Sequence, residues 1–390
     1  MINKFKMMFI LPFVFVVGCS DVTSNTNTTT SNTTSSSTNT TSTDKDKTTY
    51  QNIVNIYDNA GNNQSSKTIV ADPSVYRDSD GTYYLYCTET FLFRGDRGYG
   101  KDKGPILKSR NLIDWDYAGS VFRYGKDEPI WGASGANVWA PDICKIGNKY
   151  VYYYSLALWG DANPGIGCAS SDTPVGPWVQ HGKIFDSNEI NVKNSIDPQV
   201  IVEDGRVYMI WGSFQGIFKI ELASDGLSVL SKETMAKDRT LIAGVETSYW
   251  DGAQFEGSYI IKKDNEYIYF GSSGSCCDGL NSTYKVLAGK SSTLFGDYKD
   301  KNNSSLKNSN VGTLVAEGKK DGAIGVGHNS VTRDDAGDYW MVYHGFDSRE
   351  SNPQRRLFID KLLWDEKGYP YLPNHAASLG ETKPAPKINK

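Results

Sequence analysis

Cysteine is scarce in this chain of 390 residues, with six in all. Apart from Cys19 they are Cys87, Cys144, Cys168, Cys276 and Cys277, an odd number without metal-ligand spacing, which argues against a secreted disulfide framework. Adjacent Cys276 and Cys277 leave two states open, a vicinal disulfide near a site or two buried thiols. Excess basic charge is also missing. The formal net charge is −4 and no basic block occurs, so nucleic acid and anionic membrane surfaces are poor candidate partners. No apolar run reaches the roughly 20 residues that a membrane-spanning helix needs. No long stretch carries convincing helical periodicity, which points to strands.

The first residues are a leader rather than part of a fold. Lys4 and Lys6 precede a short apolar stretch, Met7–Val17, and the end Val16-Val17-Gly18-Cys19 resembles a bacterial lipobox. On that pattern Met1–Gly18 is a signal peptide and Cys19 becomes the lipidated first residue. An ordinary secretion signal cut nearby is the alternative, and either way the mature chain is expected to be exported. In residues 20–49, 24 of 30 are Ser, Thr or Asn, too little apolar surface to offset the entropy of ordering. Residues 19–49 are therefore expected to tether a folded body spanning 50–390, whose size allows one large core.

That body repeats one pattern five times. A polar residue opens each unit, then come an extended apolar run, a Gly/Asn/Asp turn and a second run rich in Tyr and Trp. The units open at Asp72, Asp142, Asp197, Glu256 and His328, and the second run starts 8 to 11 residues later, at Tyr83, Tyr150, Val207, Tyr267 and Tyr339. Both runs are strand-like in composition, and the turns, such as Asp204-Gly205, suit hairpins. Third strands follow at Ile106–Ser109, Gly167–Ser170 and Leu287–Ser291, leading to fourth strands closed by Trp115, Trp178 and Tyr298. The expected fold is all-β, a five-bladed β-propeller with a central channel. A β-sandwich also yields many short strands but does not require five matching units.

If the units are equivalent, the five openers form a ring facing one cavity. Several carboxylates in one cavity suit glycoside hydrolysis, which needs a protonated acid for the leaving oxygen and a second carboxylate to activate water or attack the sugar. Crowding raises one partner's pKa, so that it stays protonated near neutral pH. Trp131, Trp139, Trp159, Trp211 and Trp250 lie in or near the flanking segments, where rings stack on sugar C–H faces. Taken singly, an Asp-Pro pair such as Asp72-Pro73 or Asp197-Pro198 often does no more than start a strand, and most of the Tyr residues are core.

Six motifs in order resemble glycoside hydrolase family 43, and within it the arabinanases. They are Ala71-Asp72-Pro73-Ser74, Trp139-Ala140-Pro141-Asp142, Asn194-Ser195-Ile196-Asp197-Pro198, Phe255-Glu256-Gly257, Gly274-Ser275-Cys276-Cys277 and Gly327-His328-Asn329-Ser330. The resemblance implies inversion, with Asp72 as general base, Glu256 as general acid and Asp197 raising and orienting the acid. Base and acid are then expected about 6.5–9.5 Å apart. It also implies a largely water-coordinated calcium ion beside His328 in the channel, while His344 has no motif support. Asp142 is expected to be structural or at the site's edge. Substrate contacts are expected at Trp139, at Asn194, Ser195, Ile196 and Asp197, and at Gly212, Ser213 and Phe214.

The activity so implied is endo-cleavage of 1,5-α-L-arabinan by a monomer whose only membrane contact is the lipid on Cys19. An exo-acting arabinofuranosidase or xylosidase, and a non-catalytic glycan-binding propeller, are the alternatives. The segments Glu89–Lys103 and Asp297–Ser309 are candidates for the rim that separates endo from exo action.

Overall fold

The computed structural model describes residues 47–91, 101–123, 125–246 and 255–389. The leader, Cys19, most of the expected tether, Trp250 and residues 92–100 of the first rim segment lie outside the described residues.

Five antiparallel sheets follow one another along the chain. Blade 1 holds Ser74–Arg77, Tyr83–Tyr86, Lys101–Ser109 and Asp114–Phe122, and blade 2 holds Asn137–Ile146, Lys149–Ala157, Gly165–Ser171 and Val179–Asp186. Blade 3 holds Gln199–Glu203, Arg206–Trp211, Ile217–Leu222 and Thr240–Ala243. Blade 4 holds Glu256–Lys263, Glu266–Ser273, Lys285–Ser291 and Thr313–Glu317. Blade 5 has three strands, Ala323–Arg333, Tyr339–Asp347 and Arg355–Lys361. The fold is therefore the expected five-bladed β-propeller. Some details differ from expectation. Trp115 and Trp178 stand at the start of the fourth strands of blades 1 and 2 and do not close them. Among the described residues blade 5 has no fourth strand in its sheet, and the fourth strand of blade 4 is Thr313–Glu317, not the stretch closed by Tyr298, which is core.

Alternation along the strands explains the Tyr-rich runs. In blade 2, Tyr152 and Tyr154 pack into the cluster shared with Tyr86, Ile106 and Phe122 of blade 1. Val151 and Tyr153, alternating with them, pack with Met209, Trp211 and Phe218 of blade 3. A strand with period 2 that is apolar on both faces has to be covered twice. Three further clusters fill the spaces between blades 3 and 4, 4 and 5, and 5 and 1, so the core is five wedges between blades. Each large side chain buried there contributes about 1.5–3 kcal/mol relative to exposure.

The N-terminal segment closes the ring. Asn52 takes the place of a fourth strand on blade 5, its Nδ2 donating to Ile359 O at 2.8 Å and its Oδ1 accepting from Ile359 N at 3.1 Å. Three residues on, Asn55–Tyr57 pairs in parallel with Asp114–Asp116 on the outer edge of blade 1. One short stretch thus holds the first and last blades together.

Polar stitches link the inner strands. Ser74 donates to Asp142 Oδ1 at 2.8 Å, and Val200 N donates to Asp142 Oδ2 at 2.7 Å, joining blades 1, 2 and 3. Gln199 exchanges two hydrogen bonds with the backbone of Ile260, and Val75 N donates to Ser330 Oγ. Burial raises Asp142's pKa to about 6 against these two donors. Asp142 is structural, one of the two roles expected for it.

Candidate active site

At one end the inner strands of blades 2, 4 and 5 carry a bulge, and those of blades 1 and 3 begin their pairing at the point equivalent to the end of it. The first paired residues beyond it are Ser74, Asp142, Gln199, Tyr259 and Ser330, opposite Tyr86, Tyr153, Ile210, Phe270 and Val342. Two residues before each, the backbone is left-handed: Asp72 (φ 56°), Ala140 (38°), Asp197 (60°), Gly257 (54°) and His328 (48°). Such a conformation in a non-glycine residue costs of the order of 1–3 kcal/mol and aims its side chain out of the ladder. The fivefold position is therefore Asp72, Ala140, Asp197, Gly257 and His328. The expected ring was right for three openers. It was two residues late for Asp142, whose position is filled by Ala140, and one early for Glu256, because sequence spacing does not reveal a bulge. At Gly257 a Cβ would stand 2.8 Å from the His328 ring, so glycine is required for space as well as for φ.

The left-handed N–H groups are held by the neighbouring blade. Two residues past Tyr86, Tyr153, Ile210, Phe270 and Val342 lie Thr88, Ser155, Gly212, Ser272 and His344. Thr88 Oγ1 accepts from Ala140 N at 2.8 Å, Ser155 Oγ from Asp197 N at 2.9 Å, and Ser272 Oγ from His328 N at 2.8 Å. His344 Nδ1 accepts from Asp72 N at 3.0 Å. Gly212 has no side chain to offer, and Gly257 N donates instead to Asp197 Oδ2 at 3.0 Å. Asp197 is thereby tied to the residue next to Glu256.

Asp72 Oδ2 accepts from the Thr88 hydroxyl at 2.5 Å. Its Oδ1 lies 3.3 Å from His328 Nδ1, 3.3 Å from His344 Nδ1 and 3.6 Å from Arg355 Nη1. Burial opposes ionisation of Asp72, but His328, Arg355, His344 and the Thr88 bond, in that order, outweigh it and hold its pKa below the ordinary carboxylate range. Burial also keeps the imidazoles neutral, with His344 lowered to about 3 and His328 lowered as well. The positive charge beside Asp72 at neutral pH is therefore that of Arg355.

Glu256 and Asp197 experience the opposite environment. Burial, then the Asp72 charge, raises Glu256's pKa to about 7, against a 2.8 Å hydrogen bond from Ser213 Oγ and the Arg355 charge. Asp197 is raised well above its ordinary value by burial, then by Glu256 and Asp72. Two buried carboxyls that repel each other share a proton, and the pair keeps one close to neutral pH. An ionised carboxylate opposite a protonated one is the division of labour that glycoside hydrolysis needs.

Among the residues expected to contact substrate, Trp139 and Asn194 are half-buried at the same end of the propeller. Ile196 and Phe214 show little surface. Ser195 and Ser213 show none, which corrects two expected contacts. Ser195 accepts from Trp211 Nε1 at 3.1 Å, and Ser213 serves Glu256. Gly212 is buried, and a Cβ there would stand 2.2 Å from Gly216 O. Trp211 is core, packed 5.0 Å from Phe185. Trp159 is 79% exposed on the turn that follows Ala157, and Ala157 pairs with Asn137 at the bulged end of blade 2.

Sequence reasoning missed Arg355, His344 and Tyr284. The buried Tyr284 hydroxyl feels the charges of Glu256, Asp197 and Asp72, yet it makes no hydrogen bond of proper geometry. None of the three opens a unit, which is why the repeat did not mark them. Cys276 and Cys277 form a disulfide in the turn between Ser273 and Tyr284, one of the two states left open.

A calcium ion is held by oxygen ligands, six to eight of them. Among the described residues no three His, Cys, Asp or Glu side chains converge as a cage. His344 uses Nδ1 as an acceptor, so its proton sits on Nε2 and neither nitrogen can ligate a metal. What remains, His328 beside Asp72, fits only an ion coordinated mainly by water.

The sequence pattern of glycosyl hydrolases family 43 matches residues 63–370. An extracellular exo-α-(1→5)-L-arabinofuranosidase of Cellvibrio japonicus is 31% identical over 77% of this chain and 85% of its own length. An extracellular endo-α-(1→5)-L-arabinanase of Bacillus subtilis is 29% identical over 78% of this chain and 88% of its own. The structure of a Cellvibrio cellulosa α-L-arabinanase complexed with arabinohexaose is similar, with a TM-score of 0.67 at 29% identity, over 78% of this chain and 96% of that one. Five blades, the carboxyl set they carry and this match over most of the chain agree: the chain belongs to glycosyl hydrolases family 43.

Proposed function

We propose that this protein is an endo-acting 1,5-α-L-arabinanase that cleaves internal bonds of arabinan with inversion. Asp72, ionised, takes a proton from the attacking water as its oxygen bonds to the anomeric carbon. Glu256, protonated, gives its proton to the leaving glycosidic oxygen as the C–O bond breaks, and Asp197 with Ser213 keeps that acid in place. The observation that carries the proposal is the opposite displacement of the pKa values of Asp72, which takes one of the ring's left-handed positions, and Glu256, which stands one residue before another.

Endo action is supported by the position of Asp297–Ser309. Lys299 pairs with Lys290, near Ser291, and Ser291 pairs with Tyr267 beside the hairpin turn at the far end of blade 4. That segment therefore does not form part of the catalytic rim expected of it. The exo reading is favoured by the Cellvibrio japonicus relative. Products from debranched linear arabinan discriminate: endo action gives a mixture of arabino-oligosaccharides, and arabinose alone in the first minutes would refute it.

A water-coordinated calcium ion at His328 is part of the proposal. Bound there, it would supply positive charge beside Asp72 and fix the His328 ring. Prolonged chelation is expected to lower activity or melting temperature, and indifference to chelation counts against the ion. Both extracellular relatives support export, which for this chain would end with the lipid on Cys19 as its only membrane contact.

A further inference from the structure

We propose that His344 is the positioning residue of the general base, fixing the Asp72 backbone through Nδ1 and bracing the acid's side of the site through its ring. This inference rests on the assignment of Asp72 as base and goes beyond it.

The comparison among blades carries the argument. At the position of His344 the other blades use Thr88, Ser155 and Ser272, whose hydroxyls accept the N–H of the next left-handed residue, or Gly212, which offers nothing. Hydroxyls do this work in three blades, and that of Thr88 also donates to Asp72 Oδ2. His344 does it with an imidazole that is 0% exposed and whose Nε2 has no hydrogen-bond partner. Burying a donor without a partner is costly, so backbone support alone does not account for the ring.

The ring has a second contact. It stacks on Tyr284, centroids 5.8 Å apart and planes 14° apart, and the Tyr284 hydroxyl sits in the field of all three carboxyls. His344 thus touches the base through its backbone on one side and, on the other, a side chain beside the acid. A hydroxyl could make the first contact only. His344 acts through Asp72 and Tyr284 and needs no contact with substrate.

Two variants separate positioning from packing. His344→Asn places Oδ1 where Nδ1 stands, keeping the acceptor but leaving a void. His344→Leu fills the space against Tyr284 but removes the acceptor. Each is measured beside the wild type for kcat and KM on linear arabinan, for melting temperature, and for hydrogen exchange of the peptide carrying the Asp72 amide. A misplacement of about 1 Å at a reacting group costs about 10²-fold. His344→Leu is therefore expected to lose roughly 10- to 100-fold in kcat with KM within about threefold, and to exchange the Asp72 amide faster. His344→Asn is expected to recover most of the kcat and the slow exchange despite being the less stable variant. The proposal is overturned if kcat follows melting temperature, if His344→Leu keeps wild-type kcat, or if exchange at Asp72 is the same in all three. A wild type that leaves arabinan intact removes the substrate assignment, and the exchange data then decide separately whether His344 holds Asp72.

Discussion

Glu256→Gln is expected to lower kcat on linear arabinan by about 10²–10⁴-fold while KM stays near the wild-type value. The amide has nearly the carboxyl's shape and still accepts the Ser213 hydroxyl bond, but it has no proton for the leaving oxygen. The loss is expected to shrink on an aryl arabinofuranoside whose phenolate leaves without protonation. Equal losses on both substrates, or none, would remove Glu256 from the acid's role. The variant also addresses pH. Since Glu256 must be protonated and is raised to about 7, wild-type activity is expected to fall as pH rises through neutrality. Stability follows the same sign. A carboxyl whose folded pKa lies above its ordinary 4.5 stabilises fully below that value, and its contribution is lost as pH rises through about 7. Melting temperature is thus expected to decline across this window, less steeply in Glu256→Gln.

Asp72→Asn is expected to be as damaging, by about 10²–10⁴-fold or more in kcat, because an amide cannot take the water's proton. Its fold is expected to survive. The Thr88 hydroxyl can still donate to the side-chain oxygen, and the Asp72 backbone bond to His344 is untouched. Melting temperature and binding of arabino-oligosaccharides by calorimetry check this, and unchanged hydrolysis would end the assignment. With Asp72 held below the ordinary range, the acid limb of the wild-type rate profile is expected below pH 3.8, leaving a plateau that reaches to about 7.

These effects depend on a bulge that sequence spacing conceals. Asp72, Asp197 and His328 were legible because each opens a unit and also takes the left-handed position. Asp142 and Glu256 open units too, yet the ladder places them two residues beyond and one residue before that position. Asp142 accordingly clasps Ser74 and Val200, while Glu256 reaches the same cavity from the step ahead of Gly257. Ser195 and Ser213 sat in the right motifs but face inward, since their hydroxyls support Trp211 and Glu256. Arg355, His344 and Tyr284 carried no periodic mark, because His344 and Arg355 enter from second and third strands and Tyr284 from the turn before a third strand, where the repeat has no opener.

The sequence alone determined the number of blades and the strand pairs, which follow from local patterns: period-2 apolar runs, turn residues and a polar group at each opening. Among the five openers, it was the resemblance to family 43 that singled out Asp72, Asp197 and Glu256. Tertiary structure decided which carboxyl is ionised and which protonated. That depends on Arg355, in blade 5, standing 3.6 Å from Asp72, and on Glu256 and Asp197 being buried against each other. A carboxyl's charge is set by neighbours distant in the chain and by the loss of water, and neither exists until the five blades close.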